Sequence, residues 1–262
     1  QKPSNRTRVS FEVGIHQLGG QAIYLGPDTI KLGEREKTSD IANTLSRYLD
    51  VIVARVFSHD DILELARYST IPVINGLSDM SHPCQSLADI YTIKEKAGAL
   101  KGIKLVFVGD GNNVVHSLLY ACAKLGINFT VVTPKKYQPN KEIFNKAFLL
   151  AKVSGAKIEL LHDPKIAVKG ADFIYTDVWA SMGQELQAKK KKRAFKGFCV
   201  DRKLILLAKP DCKIMHCLPA HRGEEITDEV IDSANSIVFD QAENRLHVQK
   251  AILLWLLTEH AE

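Results

Sequence analysis

The sequence predicts an α/β protein of two domains, each a parallel sheet flanked by helices, the second Rossmann-like. Three observations carry that expectation. Short apolar, β-rich runs alternate with longer stretches whose apolar residues recur at three and four positions, along nearly all 262 residues. The alternation breaks at Gly98–Gly102 and then resumes, which marks two blocks. The second block opens on an apolar run ending in Gly109-Asp110-Gly111, at the entry to a helical pattern.

In the first block, Ser4 reads as an N-cap and Gly19 as a C-cap of an opening helix. Ala22–Gly26, Val51–Phe57 and Pro72–Leu77 read as strands, with helices at 38–50 and 59–69 between them and a long helix over 84–97. In the second block, Lys104–Gly109, Asn128–Thr133, Lys157–Leu161, Asp172–Asp177 and Lys213–Leu218 read as buried strands. Helical patterns at 113–125, 141–154 and 164–169 lie among them, and Arg245–His260 reads as a terminal helix. Strand–helix–strand alternation requires crossovers, hence parallel pairing. Ligands of such sheets bind at the carboxyl ends of strands and in the cleft between domains.

Composition narrows the classes. Hydrophobic residues make up 45% and charged residues 25%, enough for a sizeable core and against disorder. The net charge of +5 suits small anions and is too small to argue for nucleic acid. No apolar run approaches the roughly 20 residues of a membrane span. Cys84, Cys122, Cys199, Cys212 and Cys217 form an odd set without Cys-x-x-Cys spacing, which favours free thiols in a reducing compartment. Gln1-Lys2-Pro3 does not resemble a targeting signal.

Six constellations can carry chemistry. Ser4-Asn5-Arg6-Thr7-Arg8 combines a helix start, hydroxyls and guanidinium forks, all of which favour an oxyanion; a capped helix with solvated arginines is the competing reading. Arg55 ends an apolar strand, where it points into the site region of an α/β domain or is simply a surface charge. Ser81-His82-Pro83-Cys84-Gln85 opens a helix on which His82 and Gln85 can face one ligand, or simply begin the helix. Gly109-Asp110-Gly111-Asn112-Asn113 is a partial dinucleotide fingerprint with Val114 in place of the third glycine and no acidic ribose ligand after the next strand. Its asparagines can instead bind a carboxylate or an amine. Asp177-Val178-Trp179-Ala180-Ser181-Met182-Gly183 places a carboxylate at a strand end, for an ammonium group or a turn. His216-Cys217-Leu218-Pro219 ends another strand, with Cys217 either a thiol nucleophile or packing, and no metal-ligand spacing. The run Lys189-Lys190-Lys191-Lys192-Arg193 reads as a solvated face.

Taken in this order, Ser-x-Arg-Thr-Arg, a strand-end Arg, His-Pro-x-Gln, Asp-x-x-Ser-Met-Gly, His-Cys-Leu-Pro and a late Ala-Glu-Asn-Arg resemble the carbamoyltransferase family over essentially the whole chain, in its ornithine branch. The resemblance implies transfer of the carbamoyl group of carbamoyl phosphate to L-ornithine, giving citrulline in arginine or urea-cycle metabolism, with no metal and no cofactor. It implies domains at 1–90 (carbamoyl phosphate), 91–102 (linker), 103–238 (ornithine) and 239–262 (a helix returning to the first domain). Ser4, Asn5, Arg6, Thr7 and Arg55 would hold the phosphate; Thr7, Arg55 and His82 the carbonyl oxygen. Gln85, the backbone near Cys217 and Leu218, and Arg245 would hold the carbamoyl amide. Asn113, Asp177, Ser181 and Met182 would hold ornithine, with Asp177 and Cys217 orienting its reacting amine. Arg55, His82 and Cys217 are the catalytic candidates.

The resemblance further implies a homotrimer or a multiple of trimers with the site near the subunit interface, domain closure that excludes water, and a cytoplasmic location, or the mitochondrial matrix in a eukaryote. Nucleic acid and membrane are not expected partners. Three departures stand out. Family chains begin with a helix and a strand that this sequence does not contain; Asn5 replaces a usual Thr; and Lys31 lies in a loop that reaches a neighbouring subunit, either as a phosphate ligand or solvated. The alternatives are another amine substrate such as putrescine or an acylated ornithine, a nicotinamide-dependent oxidoreductase, and an inactive binding homologue.

Overall fold

The computed structural model describes residues 1–180 and 188–258. The chain forms two compact units, one of Gln1–Ala88 with Glu243–Glu262 and the other of Asp89–Ala242.

The first unit contains α1 (Asn5–Gln17), α2 (Pro27–Ile30), α3 (Thr38–Leu45), β1 (Ile52–Arg55), α4 (His59–Tyr68), β2 (Val73–Leu77) and the start of α5 (Pro83–Ala97). β1 and β2 pair in parallel, with a register break between Ala54 and Arg55. Ile41, Ala42, Ile52, Ala54, Val56, Ile62 and Leu65 form the core between this sheet and its helices. Helix ends are capped by local chemistry. The Ser4 and Ser58 hydroxyls accept from Thr7 N and Asp60 N, and removing such a cap costs about 0.5–2 kcal/mol. α1 stops in a Schellman turn: Gly19 N donates to His16 O at 3.0 Å and Gly20 N to Ile15 O at 2.9 Å. Gly19 has φ 85°, so the glycine expected at the cap lies one residue beyond it, after Leu18.

Ala22–Gly26 is not a strand. Ile23 is exposed, and the Tyr24 ring packs under the Arg8 guanidinium at 3.9 Å. Pro27, which lacks an N–H, then opens α2. α3 also ends at Leu45, short of the expected residue 50; the Ser46 hydroxyl bonds back to Ala42 O.

The second unit is a five-stranded parallel sheet in the order β5-β4-β3-β6-β7. Its strands are β3 (Lys104–Val108), β4 (Asn128–Val132), β5 (Ile158–Leu161), β6 (Phe173–Thr176) and β7 (Lys213–His216). Connecting helices are α6 (Asn113–Leu125), α7 (Lys141–Ser154), α8 (Pro164–Ala167), α9 (Ala188–Ala194), α10 (Arg202–Ile205) and α11 (Asp228–Ile231). Both sheet faces are covered. Leu105 and Phe107 join one core cluster with Leu118, Phe129 and Tyr175. Val106 and Val108 join the other with Ile174, Phe195 and Ile214. Period-two side chains thus enter apolar layers on both sides, which is why these strands read as continuous apolar runs. The chain winds from β3 outward to β4 and β5, then returns to β6 and β7 on the other flank. In sheets wound this way ligands bind where the winding reverses, which here is beyond the carboxyl ends of β3 and β6.

The last helix, α12 (Val238–Thr258), begins seven residues before Arg245. Among the described residues no helix is long and apolar enough to cross a membrane.

Candidate active site

Chemistry-bearing residues gather in each unit separately. In the first unit they centre on Thr7, in the first turn of α1, where backbone N–H groups lack helical acceptors and the dipole is positive. Asn5 and Arg6 are the first two residues of that turn. The buried Thr7 hydroxyl accepts from Arg245 Nη2 at 2.9 Å and from Arg55 Nη1 at 3.4 Å. Arg245 Nη1 donates to Gln85 Oε1 at 3.1 Å. Three separate parts of the chain, α1, the last residue of β1 and α12, therefore meet at one hydroxyl.

His82 stands just before α5 and is 5% exposed. Burial, then the positive charges of Arg245, Arg55 and Lys2, push its pKa well below 6.5. The ring is thus neutral near pH 7 and can donate without taking up a proton. The unfolded chain binds that proton near pH 6.5 while the folded chain does not, so this stabilising contribution is whole above pH 6.5 and is lost as pH falls below it. The difference in thermal midpoint between the wild type and His82→Gln should therefore shrink as pH is lowered from about 7 to about 5.5. A difference constant across that range would count against a buried neutral imidazole.

In the second unit the centre is Asp177, one residue past β6 and 6% exposed. Its Oδ2 accepts from Asn112 Nδ2 at 2.8 Å. Its Oδ1 accepts from Val178 N at 2.8 Å and from Cys217 Sγ at 3.1 Å. Asn112 also caps α6, its Oδ1 accepting from Val114 N and Val115 N. Asn113, the first residue of α6, is half-buried beside it. Burial, then the Asp177 carboxylate, push the Cys217 thiol well above its ordinary pKa. Cys217 is consequently a protonated donor at neutral pH and not a thiolate nucleophile.

The backbone after β7 is held by a buried polar network. Leu218, with φ 57°, donates its N–H to His216 Nδ1 at 2.8 Å. His216 Nε2 faces Glu225 Oε1 at 3.2 Å, and both side chains are fully buried. His216 N donates to Gln241 Oε1 at 2.9 Å, and Gln241 Nε2 to Asp89 Oδ1 at 2.7 Å. Asp177, His216 and Cys217 bring metal-capable atoms within 4.8 Å of one another. Both His216 ring nitrogens are already engaged, so hydrogen bonding accounts for the cluster.

The partial dinucleotide fingerprint has a different use. A Cβ on Gly111 would lie 2.2 Å from Pro139 N and 2.4 Å from the Gln138 carbonyl carbon. The missing side chain admits the loop after β4, not a pyrophosphate, and Val114 is buried where the third glycine belongs. The oxidoreductase reading falls on this geometry. The lysine run is also not uniformly solvated: Lys191 is 4% exposed and paired with Asp110.

The structure thus brings together Ser4, Thr7, Arg55, His82, Gln85 and Arg245 in one unit, and Asn113, Asp177, Cys217 and Leu218 in the other. Ser181 and Met182 lie outside the described residues. Lys31 is exposed at the end of α2 with φ 43°. Sequence reasoning missed Lys2, Asp110, Lys191, Glu225 and Gln241. Only Asp110 carried a local signal, its place between two glycines at a strand end.

Residues 1–95 match the family model for the aspartate/ornithine carbamoyltransferase carbamoyl-P binding domain, and residues 101–256 that for the Asp/Orn binding domain. The chain is 59% identical over 253 residues to an ornithine carbamoyltransferase of Thermococcus kodakarensis, covering 97% of this chain and 80% of the relative. The anabolic ornithine carbamoyltransferase of Pyrococcus furiosus matches at the same identity and coverage. A solved Pyrococcus furiosus ornithine carbamoyltransferase superposes with TM-score 0.96 at 57% identity, over 100% of this chain and 83% of that one. The anabolic enzyme of Campylobacter jejuni superposes with TM-score 0.94 at 40% identity, over 99% and 86% of the two chains.

Proposed function

Since the chain belongs to the aspartate/ornithine carbamoyltransferase family, we propose that it transfers the carbamoyl group of carbamoyl phosphate to the side-chain amine of L-ornithine, giving L-citrulline and phosphate. The observation that carries this reading is the convergence of Arg55 and Arg245 on the Thr7 hydroxyl in the first turn of α1, with Gln85 on the same Arg245.

The chemistry asks little of the protein beyond placement and charge. The neutral amine attacks the carbonyl carbon, the carbon–oxygen bond to phosphate breaks, and the nitrogen loses a proton that the departing phosphate can accept. Negative charge grows on the carbonyl oxygen and on the phosphate. In our reading Ser4, Asn5, Arg6, Thr7 and Arg55 take the phosphate oxygens. Thr7, Arg55 and neutral His82 donate to the carbonyl oxygen. Donors fixed in advance stabilise this transition state more than the ground state, each worth roughly 3–4 kcal/mol. Gln85 Oε1 accepts from the carbamoyl NH2, and Arg245, which donates to that same oxygen at 3.1 Å, fixes its position. Asp177, with Asn113, Ser181 and Met182, takes the ammonium and carboxylate of ornithine, and Asp177 with the Cys217 thiol orients the reacting amine.

We read the assembly as a homotrimer or a multiple of one, which light scattering on the purified protein would check. The described cysteines are all free thiols, which suits a reducing compartment such as the cytoplasm. The anabolic relatives favour the citrulline-forming direction.

Citrulline should form from carbamoyl phosphate with ornithine, and not with putrescine or aspartate, in parallel assays. Turnover with putrescine alone would overturn the choice of amine, and absence of citrulline with every amine would overturn the reading itself.

A further inference from the structure

Strands β3 and β6 are neighbours in the sheet, with Val108 opposite Thr176, so the residues that follow them leave side by side. Asn112 and Asp177 meet there, Nδ2 to Oδ2 at 2.8 Å. In the proposed reaction Asp177 has a part and Asn112 has none. Asn112 nevertheless performs two tasks with one side chain. Its Oδ1 accepts from Val114 N at 3.0 Å and from Val115 N at 3.3 Å, two groups that have no acceptor within α6. Its own N–H donates to Asp110 O at 2.8 Å, which pins the backbone. With the oxygen committed to the helix start, the NH2 end has to face the carboxylate. Turning the amide over would set donors against donors at the helix and an acceptor against an acceptor at Asp177.

Capping alone does not account for the residue type. Asparagine, aspartate and serine cap helices about equally well. Aspartate here would set a second carboxylate against Asp177, and serine has no amide to extend to it. Of the three, only asparagine joins an acceptor for the helix to a donor for the carboxylate. On the other side of the contact, Asp177 Oδ1 already accepts from Val178 N at 2.8 Å and from Cys217 Sγ at 3.1 Å. Among the described residues, Oδ2 accepts from Asn112 alone. A carboxylate offers about four acceptor directions, so the one still open lies on Oδ2, the oxygen that Asn112 holds.

We propose that Asn112 is a positioning residue for the substrate's ammonium group, carrying the fixed geometry of the α6 start to Asp177 and setting the direction of its open acceptor. The inference rests on Asp177 being the ligand of that ammonium. A carboxylate oriented in advance loses less freedom when the ammonium arrives, which favours binding. Without the amide, Oδ2 has no partner of its own and the group can turn about the two donors on Oδ1.

Asn112→Ser, Asn112→Ala, Asp177→Ala and the double variant Asn112→Ser with Asp177→Ala should be compared with the wild type. The quantities are kcat/KM for ornithine, KM for carbamoyl phosphate and the thermal midpoint. Asn112→Ser keeps the cap and should melt within about 2 °C of the wild type, whereas Asn112→Ala should melt about 2–4 °C lower. Both should lose about tenfold or more in kcat/KM for ornithine, with the carbamoyl phosphate KM within about twofold of the wild type. Once Asp177 is alanine, the further change of Asn112 to serine should cost less than about twofold. A residue that only caps α6 would be rescued by serine, and any loss it caused would recur in full in the Asp177→Ala background; either result overturns the inference. Should Asn112→Ser not fold, Asn112→Thr, also a capping residue without an amide, takes its place under the same criteria. A wild type that forms no citrulline, or an Asp177→Ala variant as active on ornithine as the wild type, would refute the underlying reading. An impaired Asp177→Ala beside an Asn112→Ser that matches the wild type refutes this inference alone.

Discussion

Replacing Arg55 by alanine is expected to lower kcat/KM for citrulline formation by about 10²–10³, the usual result of deleting one preorganised donor to a developing negative charge. Arg55 sits at the end of β1, past a register break, with its Nη1 at the Thr7 hydroxyl. In the proposed reaction it meets both the carbonyl oxygen and the phosphate, the two atoms groups on which charge grows. The loss should appear in kcat as well as KM, because the interaction strengthens in the transition state. Arg55→Lys should recover little, since a point-like ammonium does not reproduce the planar fork. A second readout is independent of turnover. Arg55 is one of the charges that depress the His82 pKa, so the imidazole should titrate higher in Arg55→Ala, a change visible in its NMR shifts. Wild-type rates with an unmoved His82 would remove Arg55 from the site.

Replacing Asp177 by alanine should cost ornithine use and spare carbamoyl phosphate binding. Truncating one partner of a desolvated charge pair typically costs about 2–5 kcal/mol, or roughly thirty- to several-thousand-fold in kcat/KM for ornithine. The carbamoyl phosphate ligands proposed here belong to the first unit and Asp177 to the second, so that substrate should bind with unchanged affinity in a direct titration. Asp177 is also, after burial, the principal reason the Cys217 thiol resists ionisation. The thiol pKa should therefore fall in the variant, and alkylation at about pH 8 should accelerate. Equal losses for both substrates would sink the assignment of ornithine to the second unit.

Legibility in the sequence followed locality. Strands β3, β4, β6 and β7 were readable because two apolar faces make continuous runs of four or five residues. Arg55, Asp177 and Cys217 were readable in turn, each standing at or just past the end of such a run. The run Ala22–Gly26 shows the opposite case, an apolar segment that pairs with no strand among the described residues. The start of α12 was hidden because its inward face carries Gln241, Arg245 and Gln249, all buried, so apolar periodicity fails where burial is deepest. The contacts that build the site are remote in the chain. Arg245 reaches Thr7 across 238 positions and Asp110 meets Lys191 across 81, distances at which no spacing rule operates. His216 and Glu225 are only nine apart, yet neither residue type declares that both will be fully buried.

The turn from Gly109 to Asn112 has a consequence for how such an enzyme can diverge. A Cβ on Gly109 would press on the Phe107 ring at 3.1 Å, and one on Gly111 would collide with the chain at Pro139. Asp110 is committed to Lys191, and Asn112 to the start of α6 and to Asp177. All four positions are fixed by different neighbours, so a random library built there should yield almost only broken proteins. Selection for a new amine has to work instead through the segments that follow β6 and β7. The turn that most resembles a cofactor signature is therefore poorly open to innovation, and a change there in a natural variant would signal that several neighbours had changed with it.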